Sequence, residues 1–139
     1  MKKNSVLFAC VGNSCRSQMA EGFARKLADF PLEVTSAGTR PADRIHPLAI
    51  EVMKEVGIDI SKQIPKVLTP AMVKNTTHFI SMGCGVQESC PVPLFSVHIE
   101  DWGIEDPVGQ EIEVFRKVRD EIYQKTQSLL AQLKQDAET

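Results

Sequence analysis

Two thiols and a fixed positive charge lie close together near the amino terminus, directly after a short apolar run. Cys10 ends that run, Cys15 follows five positions later, and Arg16 comes next, within the stretch CVGNSCRSQMAEG. A guanidinium presents a planar fork of N–H groups that matches two oxygens of a tetrahedral oxyanion. A neighbouring cation also favours the thiolate form of a cysteine, which is its nucleophilic form. The stretch can therefore hold an oxyanion and attack it from the same place.

The loop between Cys10 and Arg16 has the features of an anion-binding turn. Gly12 allows the backbone to approach a ligand closely. A helical pattern begins after the loop, so the free N–H groups and the positive dipole end of that helix face the same ligand. Successive loop amides add further donors. The predicted oxyanion-binding residues are Val11, Gly12, Asn13, Ser14, Cys15, Arg16 and Ser17.

Short apolar runs alternate with helical patterns along the chain. The runs predict strands at residues 5–10, 32–38, 77–85 and 94–100. Helices are predicted after the anion-binding loop, from Pro47 to Gly57, near 70–74, and along the tail from Ile112. This order predicts an α/β fold, with one domain over residues 1–139 and a four-stranded, mainly parallel sheet flanked by helices. Ligands of such sheets bind beyond the carboxyl ends of the strands, which is where Cys10 stands.

Apolar side chains recur at helical spacing in the three longer helices, and these side chains are expected to face the core. The stripe of the first helix comprises Met19, Ala20, Phe23, Ala24 and Leu27, and that of the second comprises Ala49, Val52, Met53 and Val56. The stripe of the tail comprises Ile112, Phe115, Val118, Ile122, Leu129 and Leu133.

Composition and charge exclude several classes of function. The chain has 139 residues, 42% of them hydrophobic and 24% charged, which is typical of a folded globular domain. A net charge of -2 provides no general attraction to nucleic acid or to an anionic membrane. The apolar run at 6–11 is too short for a signal peptide, so we expect a cytoplasmic protein. Four cysteines in such a protein point to catalytic, redox or metal chemistry rather than to structural disulfides.

The motifs together resemble one known family. Cys10, five residues and then Arg16-Ser17, opening a helix, resemble the low-molecular-weight protein tyrosine phosphatase family. The wider strings GNSCRSQMAEG, SAG at 36–38, EVGIDIS at 55–61 and EDWGIEDPVG at 100–109 resemble the thioredoxin-coupled arsenate reductases built on that fold. The resemblance runs along nearly the whole chain. It implies a low-molecular-weight phosphatase-like fold and an enzyme of arsenic detoxification that converts arsenate to arsenite.

The resemblance also implies a role for each of five residues. Cys10 attacks arsenate, Arg16 and the loop amides stabilise the charge, and Asp106 protonates the departing oxygen. Cys84 then attacks Cys10 and releases arsenite, and Cys90 attacks Cys84. Thioredoxin reduces the resulting Cys84–Cys90 disulfide, so that no tightly bound cofactor is needed. We expect a monomer whose other ligands are small oxyanions, with phosphate and sulfate as competitors of arsenate.

The spacing of the two downstream cysteines departs from the family pattern. Five residues separate Cys84 and Cys90, where the best-known reductases have six, and the first relay cysteine of the family aligns with Gly83. Either Cys84 does the same work from a shifted loop, helped by the freedom of Gly83 and Gly85, or the order of the thiols differs. The electron donor is also open, because glutaredoxin and mycothiol systems need fewer protein thiols than thioredoxin.

A second departure concerns a cation site. Asn13, Glu21 and Ser36 match residues with which several relatives hold potassium, but the aspartate that completes the site falls on Lys66. A lysine ammonium can take the place of the cation. We therefore predict little dependence of activity on potassium, and no other metal.

Two other functions and several simpler roles stay open at this point. Beside the reductase, one alternative is a phosphatase, although Val108 and Gly109 replace the tyrosines that usually follow the Asp-Pro pair. The other is an oxyanion or thiol sensor, although a sensor would not need the leaving-group acid Asp106. Cys15 is expected to be a packed small residue, and Asp-Pro alone is typical of a turn. The cysteine spacings do not match a structural zinc site. Structural roles are expected for His46, His78 and His98.

Overall fold

The computed structural model describes residues 4–83 and 98–138. Its elements follow the predicted order: β1 (Ser5–Cys10), α1 (Arg16–Leu27), β2 (Glu33–Gly38), α2 (Pro47–Glu55), α3 (Pro70–Lys74), β3 (His78–Ser81), β4 (His98–Asp101) and α4 (Ile112–Glu138). The prediction of an α/β fold is confirmed. Cys84 and Cys90 lie outside the described residues.

The four strands form one sheet in the order β2-β1-β3-β4, and every neighbouring pair is parallel. The carboxyl ends of the strands therefore meet at one edge. At that edge Cys10 is paired with Gly38, and Ser81 with Asp101. The segments that follow β1 and β4 leave the sheet at this edge, which brings the anion-binding loop and the loop that carries Asp106 to the same side of the molecule.

The central strand β1 is buried along its whole length, because apolar groups cover both faces of the sheet. Val6 and Phe8 face a larger core that α1, α2 and α4 complete. Leu7 and Ala9 face a smaller one on the side of α3. The apolar stripes predicted for the helices lie in the larger core, with the exceptions below.

Two residues predicted to face the core are partly exposed. Leu27 is 37% exposed because it is the last residue of α1, and Val56 is 45% exposed because α2 ends at Glu55 and the chain turns at Gly57 with a positive φ of 83°. Helical spacing alone does not show where a helix stops, so the predicted stripes extended one step too far.

Within the described residues the third strand is shorter than predicted, and the fourth ends one residue later than predicted. β3 ends at Ser81, and Gly83, with φ 104°, follows soon after. β4 covers only His98–Asp101, while residues 94–97 of its predicted range lie outside the described residues. All four residues of β4, which forms one edge of the sheet, are exposed. No helix among the described residues combines the length and apolar character needed to cross a membrane.

Candidate active site

The thiol of Cys10 lies at the base of the loop that follows β1. Its Sγ accepts a hydrogen bond from the backbone N–H of Asn13 at 3.2 Å and lies 2.8 Å from the Ser17 Oγ. The side chain is almost fully buried, at 3% exposure. Asn13 thus supplies one hydrogen-bond donor to the sulfur, and the Ser17 hydroxyl lies within hydrogen-bond distance of it. The local geometry fits a cysteine that acts as a nucleophile.

A second loop holds the anion-binding loop in place through its carbonyls. We call residues 39–46, between β2 and α2, the supporting loop. Its backbone N–H groups donate to the carbonyls of Val11, Gly12 and Ser14 over 2.8–2.9 Å, and the donors are Arg40, Ala42 and His46. Carbonyl oxygens repel an anion. Because the supporting loop binds these three carbonyls, the N–H groups of the same peptides face away from it. The N–H of Asn13 donates to the Cys10 sulfur, and those of Gly12 and Cys15 are left for the ligand.

Arg16 is anchored by one of its guanidinium nitrogens. Nη1 donates to the carbonyls of Met82 at 3.2 Å and Ile104 at 2.9 Å, which lie just beyond the ends of β3 and β4. Nη2 lies 3.8 Å from Oδ2 of Asp106. Burial and two carbonyl partners fix the plane of the guanidinium, so its orientation is set before an oxyanion arrives.

A cavity of about 410 Å³ joins these groups. Its lining residues in the described part of the chain are Cys10, Val11, Gly12, Ser14, Cys15, Arg16, Asp106 and Val108. The Asp106 side chain is half exposed, and its Oδ1 accepts from the N–H of Val108 at 3.1 Å, which places the carboxylate in a turn as well as at the cavity. The structure thus brings Cys10, Arg16 and Asp106 to one cavity.

A larger cavity of about 640 Å³ lies between β4 and α4. His78, His98 and Trp102 are among its described lining residues, and none of those residues is a thiol. It lies away from the anion-binding loop. We place the candidate active site in the smaller cavity because, of the two, only its described lining combines a thiol, a guanidinium and a carboxylate.

Cys15 lines the same cavity but differs from Cys10 in its chemistry. Burial raises the pKa of the Cys15 thiol far above its ordinary range, and the nearby Cys10 raises it further. The residue stands at the N-cap of α1 without capping it through its side chain, and it packs in the larger core. A thiol that stays protonated is a poor nucleophile, which favours a packing role for Cys15.

The residues matched to a cation site do lie together. Asn13 Nδ2 donates to Ser36 Oγ at 2.9 Å, and Ser36 Oγ donates to Glu21 Oε1 at 2.5 Å. The ammonium of Lys66 lies 3.8 Å from the same Glu21 oxygen. Within the described part of the chain, no group of three or more His, Cys, Asp or Glu residues is arranged to hold a metal ion.

The histidines take the places expected of structural residues. His46 caps α2, because its Nδ1 accepts from the N–H of Leu48 at 3.1 Å, and its ring packs on Phe115. His78 and His98 are register partners on β3 and β4 with ring centroids 5.1 Å apart. None of the three lines the cavity of Cys10.

Sequence reasoning missed the supporting loop and the two carbonyls that anchor Arg16. It also missed why Gly38 is required. A Cβ at position 38 would lie 2.5 Å from the carbonyl oxygen of Val11 and 3.0 Å from the N of Asn13. The turn-rich string RPADRIHP after Gly38 was the only local signal of the supporting loop.

Comparison with known proteins agrees with this geometry. The sequence model described as low molecular weight phosphotyrosine protein phosphatase matches residues 5–139. The glutaredoxin arsenate reductase of Synechocystis is 45% identical over 135 residues, which are 96% of this chain and 99% of that protein. A solved arsenate reductase in the phosphate binding state is 43% identical with a TM-score of 0.85, over 94% of this chain and 98% of the other. The thioredoxin-dependent arsenate reductase of Corynebacterium glutamicum is 34% identical with a TM-score of 0.82, over 96% and 63% respectively.

Proposed function

Because the chain belongs to the low molecular weight phosphotyrosine protein phosphatase family, we propose that it is the arsenic-detoxifying type of this fold and reduces arsenate to arsenite. The observation that carries the proposal is the arrangement at one cavity of the Cys10 thiol, the Arg16 guanidinium and the Asp106 carboxylate. The names of relatives that are 43% and 45% identical over nearly the whole chain support arsenate as the substrate.

In the first step the Cys10 thiolate attacks arsenic. An As–S bond forms, an As–O bond breaks, and the leaving oxygen takes a proton from Asp106. The loop N–H groups and Arg16 stabilise the negative charge on the remaining oxygens. Donors that are already oriented make the largest contribution to such a step, since no reorganisation is needed. The anchored Arg16 and the supported loop meet that condition.

In the second step a downstream thiolate, which we assign to Cys84, attacks the sulfur of Cys10. An S–S bond forms, the As–S bond breaks, and its electron pair leaves with arsenic as arsenite. Arsenic is thereby reduced by two electrons while two thiols are oxidised. Cys90 then attacks Cys84, which regenerates Cys10 and leaves a Cys84–Cys90 disulfide. Cys84 comes two positions after Met82, whose carbonyl is bonded by Arg16, and this proximity in sequence supports the assignment.

Thioredoxin then reduces the Cys84–Cys90 disulfide by thiol–disulfide exchange and is itself oxidised. The presence of a downstream cysteine pair supports this donor, as does the similarity to a thioredoxin-dependent reductase. The relative named for glutaredoxin makes that donor the alternative to be tested. The free thiols of the cycle need a reducing compartment, which agrees with a cytoplasmic location. Since Cys10, Arg16 and Asp106 come from one chain, we expect the monomer to be active.

The test is a reconstituted assay with matched electron donors. We expect arsenate-dependent oxidation of NADPH with thioredoxin and its reductase, and much less with glutaredoxin, glutathione and glutathione reductase. Cys90→Ser should stop turnover yet still form one arsenite per enzyme, with mass spectrometry finding a Cys10–Cys84 disulfide. Cys10→Ser should form none.

The rival function is hydrolysis of aryl phosphates in the same cavity. The chain is a phosphatase if the unaltered protein forms no arsenite and if its hydrolysis of aryl phosphates survives the loss of both Cys84 and Cys90. Efficient turnover with glutaredoxin but not with thioredoxin would support the proposed arsenate reduction and would show that glutaredoxin is the electron donor.

A further inference from the structure

Gln18 is a polar side chain in a fully buried position. It lies in the first turn of α1, it is 0% exposed, and it is among the largest fully buried side chains of the described residues. Burial of an amide is unfavourable unless its hydrogen bonds are satisfied. Its partners therefore indicate what the position requires.

The amide of Gln18 is directed at the anion-binding loop. Its Nε2 donates to the carbonyl oxygen of Asn13 at 3.0 Å, to the Oδ1 of the same residue at 3.0 Å, and to the carbonyl of Ile64 at 3.1 Å. Its Oε1 accepts from Nε2 of Gln63 at 2.7 Å. Backbone carbonyls can only accept, so the NH₂ end of Gln18 must face Asn13 and Ile64.

Asn13 is held in an uncommon backbone conformation. With φ 48° it is the one non-glycine residue of the described chain in the left-handed region, where most side chains are strained. This conformation directs its N–H at the sulfur of Cys10. Gln18 binds the main-chain and the side-chain oxygen of Asn13. It therefore restrains the Asn13–Ser14 peptide and the Asn13 side chain, which fixes the orientation of the residue whose N–H meets the sulfur.

We propose that Gln18 is a positioning residue that keeps the N–H of Asn13 directed at the Cys10 sulfur and the anion-binding loop open for its oxyanion. The proposal rests on the function of Cys10 as the nucleophile. It differs from a merely structural role, in which Gln18 would only join α1 to the segment at 63–66. In that case its loss would lower stability and leave the chemistry of Cys10 unchanged.

The experiment compares isosteric changes at Gln18 with two matched controls. Gln18→Met keeps the size and loses every hydrogen bond, while Gln18→Glu keeps the acceptor for Gln63 and loses the donors to Asn13. Gln63→Met removes the opposite partner and leaves the bonds from Gln18 to Asn13 in place. Gln127→Met changes an exposed glutamine of α4.

Two readouts follow the site and one follows the fold. Peptide mass spectrometry gives the rate at which iodoacetamide alkylates Cys10 at neutral pH, and inorganic phosphate is added to measure protection of that thiol. If Asn13 no longer directs its N–H at the Cys10 sulfur, the site loses about one net hydrogen bond. Alkylation should then be about tenfold slower in both Gln18 variants, and about tenfold more phosphate should be needed to protect the thiol. Steady-state kcat/KM for arsenate should fall by a similar factor. Gln63→Met and Gln127→Met should stay close to the unaltered protein in both site readouts, and thermal unfolding reports the stability of each variant.

The proposal is overturned if Gln18→Met and Gln18→Glu lower the melting temperature but leave alkylation and phosphate protection unchanged. It is also overturned if Gln63→Met has the same effect on Cys10 as Gln18→Glu. Should Gln18→Met not fold, Gln18→Glu and Gln63→Met decide between the two outcomes. If the unaltered chain forms no arsenite, the proposed function fails, yet alkylation and phosphate protection still test Gln18.

Discussion

The guanidinium of Arg16 and the carboxylate of Asp106 line the same cavity and lie 3.8 Å apart. Arg16 is buried and anchored through Nη1, whereas Asp106 is half exposed and sits in a turn. An oxyanion held by the first group is therefore within reach of a proton from the second. On the proposed function, this pair would combine oxyanion binding and acid catalysis at one point of the cavity.

Asp106→Asn should lower the rate of arsenite formation in a single turnover by about 10²–10⁴-fold, because an amide cannot donate the proton that the leaving oxygen requires. Asparagine retains an oxygen for the N–H of Val108, so the turn should persist. Glu105→Gln, at the adjacent exposed carboxylate, is the control and should react at close to the normal rate. A fall of less than about threefold for Asp106→Asn would exclude Asp106 as the general acid.

Replacing Lys66 should create a dependence on potassium. The Lys66 ammonium lies 3.8 Å from a carboxylate oxygen of Glu21. Hydrogen bonds connect that carboxylate through Ser36 to Asn13 in the anion-binding loop. Turnover of the unaltered protein should change little when potassium replaces choline at constant ionic strength. Lys66→Met should be slower and should recover with potassium, whereas Lys62→Met, on the exposed side of the same segment, should behave as the unaltered protein. A strong potassium activation of the unaltered protein would contradict the assignment.

Gly38→Ala should displace the anion-binding loop. The added Cβ would lie 2.5 Å from the Val11 oxygen, which is backbone and cannot move alone. We expect a loss of about 1–3 kcal/mol in the free energy of unfolding, measured by urea denaturation, together with weaker phosphate binding. Gly12→Ala is the control for stability, since its Cβ would meet only Ser14 Oγ, at 3.4 Å, among the described residues. Equal stability of the two variants would argue against the clash.

Thr126→Val should stabilise the protein. Thr126 is fully buried in α4, and its Oγ1 has no hydrogen-bond partner among the described residues. An unsatisfied buried hydroxyl costs about 1–3 kcal/mol, most of which an isosteric apolar side chain restores. Thr76→Val is the matched opposite, because Thr76 Oγ1 donates to the carbonyls of Ser5 and His78. Melting temperatures should therefore rise for the first and fall for the second, and a fall for both would refute the prediction.

His78 should make stability depend on pH. Burial, and then the positive charge of His98, hold the pKa of His78 below its ordinary value, although Asp136 and Glu100 partly oppose this. The unfolded chain, with an ordinary pKa of about 6.5, binds a proton more readily than the folded protein. The free energy of unfolding should therefore fall as the pH drops through about 6.5, and level off below the lowered folded pKa.

His78→Gln should remove most of that loss, measured by urea denaturation between neutral and mildly acidic pH. His98→Gln should remove part of it, because the second cause of the shift disappears. An unchanged slope in both variants would show that other groups set the pH dependence in this range.

Local sequence patterns predicted helices and strands well where neighbouring residues along the chain determine the secondary structure. The apolar run at 5–10 is β1, and the proline at position 47 does begin α2. The patterns were less accurate at ends and edges. Leu27 and Val56 fit the helical spacing, yet α1 ends at Leu27 and α2 ends at Glu55. The alternating pattern of LFSVHIE likewise did not indicate that all four residues of β4 are exposed.

The sequence by itself determined the order of strands and helices, and it predicted the nucleophile and the anion-binding loop. A thiol, a glycine and an arginine at this spacing favour oxyanion chemistry, and the periodicity of apolar residues depends only on neighbours along the chain. Only the tertiary structure decided what holds these groups in place. The two carbonyls that anchor Arg16 belong to Met82 and Ile104, which follow it by 66 and 88 positions in the sequence. The side chain of Asn13 forms hydrogen bonds with Gln18, Lys66 and Ser36, which lie in three separate segments. Such contacts depend on parallel strand order and on side-chain geometry at the meeting edge of the sheet, which no local pattern contains.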